Sequence, residues 1–254
     1  MNAPRLHESI AAWRAERAGP RFAGCSVGFV PTMGALHAGH RALLERARTE
    51  NDRVVLSVFV NPTQFNDPAD LAKYPRTLAE DVELARGLAT DVFVPNAAEM
   101  YPDRYRYRVS ELEFSRELEG AHRPGHFDGV LTVVLKLLNL VQPTRSYFGE
   151  KDWQQLQLVR GMAEALFLPG EIVACPTVRD SDGLALSSRN RRLAPADRAH
   201  AAAFPKLLRA GTAAAAEQAL RGAGFAVDYV AERDGVRLGA VHIGGVRLID
   251  NVRL

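Results

Sequence analysis

Cysteine is nearly absent from this chain of 254 residues: Cys25 and Cys175 are the only two. A scaffold stapled by several disulfides is therefore excluded. Both thiols sit in apolar, strand-like runs, as reduced and buried side chains of a cytoplasmic protein do. Net charge is scarce as well. Thirty-two Lys and Arg stand against 30 Asp and Glu, leaving +2, so no broad field draws a nucleic acid. Long apolar runs are missing. None approaches the roughly 18 residues that span a bilayer, and no membrane partner is expected. The N-terminal stretch MNAPRLHESIAAWRAERAG lacks the apolar centre of a secretion signal and reads as an amphipathic helix. Internal repeats are absent too. The alanine-rich stretches late in the chain are helix formers rather than low complexity. What is present is 47% hydrophobic residues, enough for a proper core, in a length that allows one large domain or two smaller ones.

Apolar runs rich in β-branched residues recur: CSVGFV (25–30), RVVLSVFV (53–60), DVFVP (91–95), RSYFG (145–149) and EIVAC (171–175). Helical patterns lie between them, in HRALLERARTE, TLAEDVELARGLA, GVLTVVLKLLNLV and KDWQQLQLVRGMAEAL. The alternation predicts an α/β fold, a parallel sheet with helices on both faces. Ligands of such folds sit beyond the carboxyl ends of the strands. That rule puts PTMGALHAGH, NPTQF and GEKD at one rim. After residue 175 the texture changes. SDGLALSSRNRRLAP is polar, two helices are expected over about 195–209 and 212–223, and the short strands FAVDYV, VRLGAVHI and VRLID follow. The expected organisation is a domain over 1–175 and a small α+β domain over 176–254.

PTMGALHAGH mixes groups that rarely serve packing alone. Gly34 and Gly39 allow backbone to approach a ligand. A helix beginning near Gly39 turns its N–H groups and positive dipole end to the rim, a ready anion site. His37 precedes that helix and His40 lies in its first turn, so both can address one phosphate and stabilise charge on a transferring phosphoryl group. A lone histidine at a helix start is better read as a cap; a pair flanking Gly39 favours the phosphate. In NPTQF, Asn61 and Gln64 suit a small polar substrate, or Asn61 serves the turn that Asn61–Pro62 makes in any case. In GEKDWQQ, Gly149 turns the chain. Lys151 at a helix start opposes the dipole, which makes sense with an anion present. Asp152 suits a cap, and one of Gln154 and Gln155 should face the rim. LSSRN offers hydroxyls and a guanidinium to phosphate, or is a solvated basic loop with Arg191 and Arg192. Arg123 is placed for an anionic substrate, while His126 and Asp128 are expected to cap the helix after them. Glu80 and Asp81 are candidate Mg2+ ligands through water, although acidic residues early in a helix match its dipole without any metal.

Seven pieces, VPTMGALHAGH, SVFVNPTQF, YPRTLAEDVE, LEGAHRPGHFDGV, FGEKDWQQL, DGLALSSRNRRL and RLIDN, taken together and in this order, resemble the pantoate–β-alanine ligases (pantothenate synthetases). That family belongs to nucleotidyltransferases with an HxGH-type signature, matched here by His37-Ala38-Gly39-His40. The resemblance implies a Rossmann-like domain with a smaller C-terminal lid, assembled as a homodimer. It implies ATP with Mg2+, pantoate and β-alanine as substrates, joined through a pantoyl adenylate. By that similarity Met33, Gly34, Ala35, Leu36, His37, Ala38, Gly39 and His40 line the ATP site, and His40 is the proton donor. Gly149, Lys151, Ser187, Ser188 and Arg189 hold the phosphates, Glu150 and Leu186 also belong to the ATP site, and Asp152 and Val178 meet ribose and adenine. Catalysis would rest on His40, His37 and Lys151. Asn61, Gln64 and Gln155 would hold pantoate, and Gln64 with Arg123 β-alanine. The segment VAERDGVRLGAVHIGGVRLIDNV is shorter than its family counterpart, so a reduced lid is expected.

Rival readings remain at this stage. An adenylyltransferase would share HxGH and a basic loop without needing NPTQF or GEKDWQQ. A tRNA-charging enzyme would need an anticodon-binding domain and more positive charge. A non-catalytic nucleotide-binding descendant would have no use for intact His37, His40, Lys151 and LSSR.

Overall fold

The computed structural model describes residues 3–66 and 68–254. They form two compact units. The first takes residues up to Phe148 together with Gln154–Cys175, and the second takes Gly149–Trp153 with Pro176–Leu254. The segment Gly149–Trp153, expected in the first domain, goes with the second unit.

The chain begins with strand β1 (Arg5–His7) and helix α1 (Ile10–Arg17). The helix expected through the whole N-terminal stretch is thus confined to its second half. Ser9 is extended and its hydroxyl accepts from Ala12 N–H at 3.1 Å, which fixes the start. Arg5–His7 pairs with a strand edge instead, and Met1 and Asn2 lie outside the described residues. There follow β2 (Val27–Thr32), α2 (Ala38–Glu50), β3 (Arg53–Val58), α3 (Pro68–Ala72), α4 (Leu78–Ala85), β4 (Asp91–Phe93) and α5 (Ala97–Met100). Then come α6 (Glu119–His122), α7 (His126–Val141), β5 (Arg145–Gly149), α8 (Trp153–Ala165) and β6 (Glu171–Cys175). The last two strands match their sequence expectation at both ends.

The strands order as β1-β4-β3-β2-β5-β6, and the pairings β1–β4, β4–β3, β3–β2 and β2–β5 are parallel. Successive side chains of a strand face opposite sides, and the apolar runs use both. Phe29, Val55, Phe93 and Phe148 join Trp13 of α1, Leu131 and Leu138 of α7 and Leu156 of α8. Val30, Val54, Leu56, Val92 and Tyr147 join Leu43, Leu44 and Ala47 of α2 and Ala85 of α4. Each such Leu, Val or Phe contributes about 1.5–3 kcal/mol on burial. The chain reverses its direction of travel between neighbours β2 and β5, so their carboxyl ends form the topological switch point where ligands of open α/β sheets bind.

The second unit contains a short hairpin closed by the bridge Arg179–Ala185 and a 3₁₀ turn, Ser188–Arg192. Helices α9 (Pro195–Ala201), α10 (Phe204–Leu208) and α11 (Ala213–Gly222) follow. The single helix expected over about 195–209 is two, because Pro205 near the start of α10 lacks the N–H that continuation requires. Strands β7 (Ala226–Arg233), β8 (Val236–Ile243) and β9 (Val246–Arg253) form an antiparallel sheet in chain order. Arg233 pairs with Val236, so the turn is Asp234-Gly235, both at positive φ (53° and 72°). This is the two-residue hairpin that Asp-Gly favours. Phe204, Leu208, Leu220, Phe225, Val241 and Leu248 fill this unit's own core. No helix among the described residues is long and apolar enough to cross a membrane.

Candidate active site

The loop after β2 carries the histidine pair. Thr32 at the strand end donates its hydroxyl to Ser57 O at 2.8 Å and accepts from Gly34 N–H at 3.1 Å. His37 is the N-cap of α2 and its Nδ1 accepts from Gly39 N–H at 3.1 Å. His40 Nδ1 accepts in return from His37 N–H at 3.3 Å, closing a capping box in which histidines take the places usual for Ser and Glu. The rings lie 4.1 Å apart between centroids. With each Nδ1 an acceptor, the proton of a neutral ring sits on Nε2. Capping engages Nδ1 of each ring, so the capping and phosphate readings, set against each other by the sequence, do not compete for one nitrogen. Met33, His37, Gly39 and His40 are half-buried and Ala38 is exposed. Gly34, Ala35 and Leu36 are buried, and Leu36 packs in the core, so their side chains do not line an open site.

Asp81 explains that burial. Its Oδ2 accepts from Ala35 N–H at 3.1 Å and its Oδ1 from Leu36 N–H at 2.7 Å, and its residue is 2% exposed. Each Asp81 oxygen thus accepts from backbone, the metal-free role that the sequence reading also offered for an acidic residue early in a helix. Its neighbour Glu80 is exposed on the first turn of α4. Among the described residues no group of three or more His, Cys, Asp or Glu is arranged to hold a metal.

The two amides of NPTQF have different surroundings. Asn61 is buried. Its Oδ1 accepts from the Tyr101 and Thr63 hydroxyls at 2.7 and 3.0 Å, and its Nδ2 donates to Gln64 Oε1 and Gly129 O at 3.0 and 3.1 Å. Burial pushes the Tyr101 hydroxyl up to about 12, so it stays a donor. Asn61 is saturated by its own chain. Gln64 lines a cleft of about 180 Å³ with Tyr105, Arg108, His126 and Asp128. His126 does not cap α7, whose N-cap Gly125 has no side-chain bond. Its Nδ1 meets Gln64 O at 2.9 Å and its Nε2 meets Arg123 Nη1 at 2.9 Å. A guanidinium only donates, so Nε2 accepts and Nδ1–H donates to Gln64 O. The expected cap is instead a bracket holding Gln64 and Arg123 together. Asp128, in the first turn of α7, lines the cleft rather than capping.

Gln154 and Gln155 are likewise sorted. Gln154 is buried, accepting from Glu119 N–H at 3.0 Å and donating to Phe114 O and Glu117 O at 2.7 and 2.9 Å. Gln155 is the half-buried one and remains the site candidate.

In the second unit Lys151, Ser187, Arg189, Asn190 and Arg247 line one small cleft. Lys151 and two residues of LSSR, Ser187 and Arg189, far apart in sequence, line it together. Asn251 holds the backbone beneath them, donating to Glu150 O and Lys151 O at 2.8 and 3.0 Å. The Lys151 ammonium lies 3.7 Å from Asp152, so an anion of the chain already offsets part of its cost at a helix start. Ser187 caps the 3₁₀ turn through Arg189 N–H at 3.2 Å, and Ser188 begins that turn. Leu186 N–H donates to Val178 O at 3.0 Å, fixing both ATP candidates on the hairpin. Arg179 anchors the hairpin by a bidentate pair with buried Asp250 at 2.7 and 2.9 Å. Arg247 was not a sequence candidate; the signal for it was its place in VRLID two residues before Ile249, which lines the same cleft.

The chain matches the family model for pantoate–β-alanine ligase over residues 5–253. A pantothenate synthetase of Bdellovibrio bacteriovorus is 56% identical over 252 residues, covering 98% of each chain. One of Legionella pneumophila is 52% identical over 231 residues, 90% of this chain and 92% of the other. The pantoate–β-alanine ligase structure from Francisella tularensis, described as complexed with β-γ ATP and β-alanine, superposes with a TM-score of 0.93 at 39% identity, covering 99% and 98% of the two chains. Relatives matched almost end to end have the same length, so the compact C-terminal segment is no peculiarity of this chain. By its sequence and by its fold, the chain belongs to the pantoate–β-alanine ligase family.

Proposed function

We propose that this protein condenses pantoate with β-alanine to form pantothenate, using ATP. A carboxylate oxygen of pantoate attacks the α-phosphorus of ATP, the bond to the bridging oxygen of the β-phosphate breaks, and pyrophosphate leaves. The acyl adenylate carries AMP as a good leaving group. The amine of β-alanine, its ammonium proton lost to solvent, attacks the acyl carbonyl, and AMP departs as the amide forms. Such chemistry needs positioning and charge stabilisation more than covalent help. The nucleotide and β-alanine named with the Francisella relative support the same substrates here.

The observation that carries the reading is the His37–His40 capping box at the end of β2, beside the switch point. Two Nε2–H donors at a helix N-terminus suit the charge that develops on the α-phosphate and leaving oxygen. His40 acts as the donor. Lys151, Ser187 and Arg189 bind phosphate oxygens, with Gly149, Glu150, Asp152, Val178 and Leu186 supporting the nucleotide. Gln64 and Gln155 hold pantoate, and Gln64 with Arg123 holds β-alanine. Mg2+ would enter as part of MgATP, where it would offset phosphate charge. The protein is proposed to act in the cytoplasm as a homodimer, with its functional division after residue 175.

The test is to mix protein, MgATP, pantoate and β-alanine, omit each in turn, and follow AMP and pantothenate. Both products should require all three substrates, while pantoate alone should support ATP–pyrophosphate exchange. Exchange that strictly needs β-alanine would sink the adenylate route.

A further inference from the structure

Asp81 takes no part in the chemistry proposed above, yet its buried carboxylate grips the loop that bears the histidine pair. The consecutive N–H groups of Ala35 and Leu36 converge on it at 3.1 and 2.7 Å, and the Thr77 hydroxyl lies 3.3 Å from both oxygens. Successive backbone amides of this kind form the concavity that captures phosphates elsewhere; here the chain's own anion fills it. The loop is bent to fit. Gly34 and Ala35 both have positive φ, 80° and 51°, a region unfavourable to alanine. A Cβ on Gly34 would lie 2.9 Å from Asp81 Oδ2 and 3.1 Å from Val58 Cγ1, so only glycine lets the backbone close on the carboxylate. The residue after Leu36 is His37, whose N–H donates to His40 Nδ1. The two peptides that Asp81 holds are thus those leading directly into the capping box.

We propose that Asp81 is a positioning residue for adenylation: its carboxylate holds the Ala35–Leu36 backbone so that His37 and His40 cap each other and keep their ring protons on Nε2. This rests on the proposed function. Without the anion, the left-handed turn at Ala35 relaxes, the reciprocal cap loosens, and the donors lose the register that the α-phosphate needs. Misplacement of this order costs about 10²-fold in rate.

The experiment compares wild type, Asp81→Asn and Thr77→Val by two readouts: pantoate-dependent ATP–pyrophosphate exchange, and imidazole 15N signals of His37 and His40 at about pH 8, above the ordinary histidine value of about 6.5. Asp81→Asn keeps the shape but sets an NH₂ group against a backbone N–H. It should lower kcat about 10²-fold with little change in KM for pantoate, and shift the ring signals from a fixed Nε2–H tautomer towards averaging. Thr77→Val keeps the carboxylate and should show both effects more weakly, about threefold to tenfold in kcat. Asp91→Asn, at the opposite end of the sheet, serves as the control and should lower Tm with the ring signals unchanged. A folded Asp81→Asn with unaltered kcat and ring signals overturns the proposal, as does one that loses only Tm. Should Asp81→Asn fail to fold, unaltered kcat and ring signals in Thr77→Val overturn it equally. Wild type without exchange would defeat the functional reading instead, and the ring signals would still decide whether Asp81 sets the pair.

Discussion

His40 Nδ1 closes the capping box at 3.3 Å, and the proposed donor role belongs to its other nitrogen, Nε2. His40→Ala should cost about 1 kcal/mol of stability, the worth of one cap interaction, and about 10²-fold or more in turnover, the worth of one preorganised donor. Thermal unfolding and steady-state rates separate the two, and near-normal turnover would leave His40 a cap and nothing more. Asn61 and Gln64 should divide the other way. Asn61→Ala strands the buried Tyr101 hydroxyl and the Gly129 carbonyl, a loss of about 3 kcal/mol. Gln64→Ala gives up only one bond to its own chain, that from Asn61 at 3.0 Å. It should unfold nearly as wild type while pantoate and β-alanine saturate at much higher concentration. Equal stability losses in the two variants would refute this division.

At the scale of elements, α2 is held at both ends. Its N-terminus has the histidine box. At its C-terminus Tyr147 of β5 donates to Glu50 at 2.8 Å and accepts from the Asn51 amide at 2.7 Å. Burial first, and the neighbouring Glu50 second, push the Tyr147 hydroxyl up to about 12. The folded state therefore favours neutral tyrosine more than the unfolded state does. The stability this provides is complete below the unfolded value of about 10, and it is lost as pH rises towards the folded value. Stability should fall between about pH 10 and 12, with Tyr101 contributing over the same range. Tyr147→Phe should cost about 1–3 kcal/mol at neutral pH through the stranded Asn51 and Glu50 groups, and should flatten that alkaline decline. Denaturant unfolding across this range checks both, and an unchanged slope in the variant would contradict the assignment.

At the scale of the molecule, the far edge of the sheet hangs on Asp91. It is fully buried and accepts from Arg21 at 3.0 and 3.2 Å, with the His7 ring at 2.9 Å. Burial opposes its ionisation, but Arg21 and His7 outweigh it and hold the carboxyl below the usual range. A depressed folded pKa gives stability that is present above the unfolded value of about 3.9 and is lost as pH falls through the folded one. Asp91→Asn should cost about 3–5 kcal/mol at neutral pH, as breaking a buried pair does, and should weaken the dependence on acid. Chemical denaturation at neutral and acidic pH decides this. Removal of everything after Cys175 should abolish pyrophosphate exchange, because Ser187 and Arg189 go with it. The cores of the first unit lie wholly within residues 13–175, so that fragment should retain secondary structure by circular dichroism. Full exchange by it would show the second unit to be dispensable.

The primary structure alone determined the α/β class, five strands of the parallel sheet, the long helices α2, α7 and α8, the Asp-Gly hairpin and the family. These depend on local periodicity, β-branched runs and turn chemistry, which are written in neighbouring residues. It did not reveal β1, whose three residues become a strand only by pairing with β4, nor the break before α10. Tertiary structure also decided which of the polar candidates are engaged by distant parts of the chain. Asn61 and Gln154 have the same chemistry as Gln64 and Gln155, yet the fold spends Gln154 on the backbone of Phe114, Glu117 and Glu119 and Asn61 on Tyr101, Gly129 and its own loop. Asp81 looks like a metal ligand beside Glu80 until Ala35 and Leu36, forty-six and forty-five residues away in sequence, arrive with two N–H groups. His126 shows a helix-start pattern but is turned to Gln64 O, sixty-two residues distant. Hydrogen bonds saturate, and each donor or acceptor taken by a partner remote in sequence is one fewer for substrate. Only the three-dimensional arrangement reveals which have been taken.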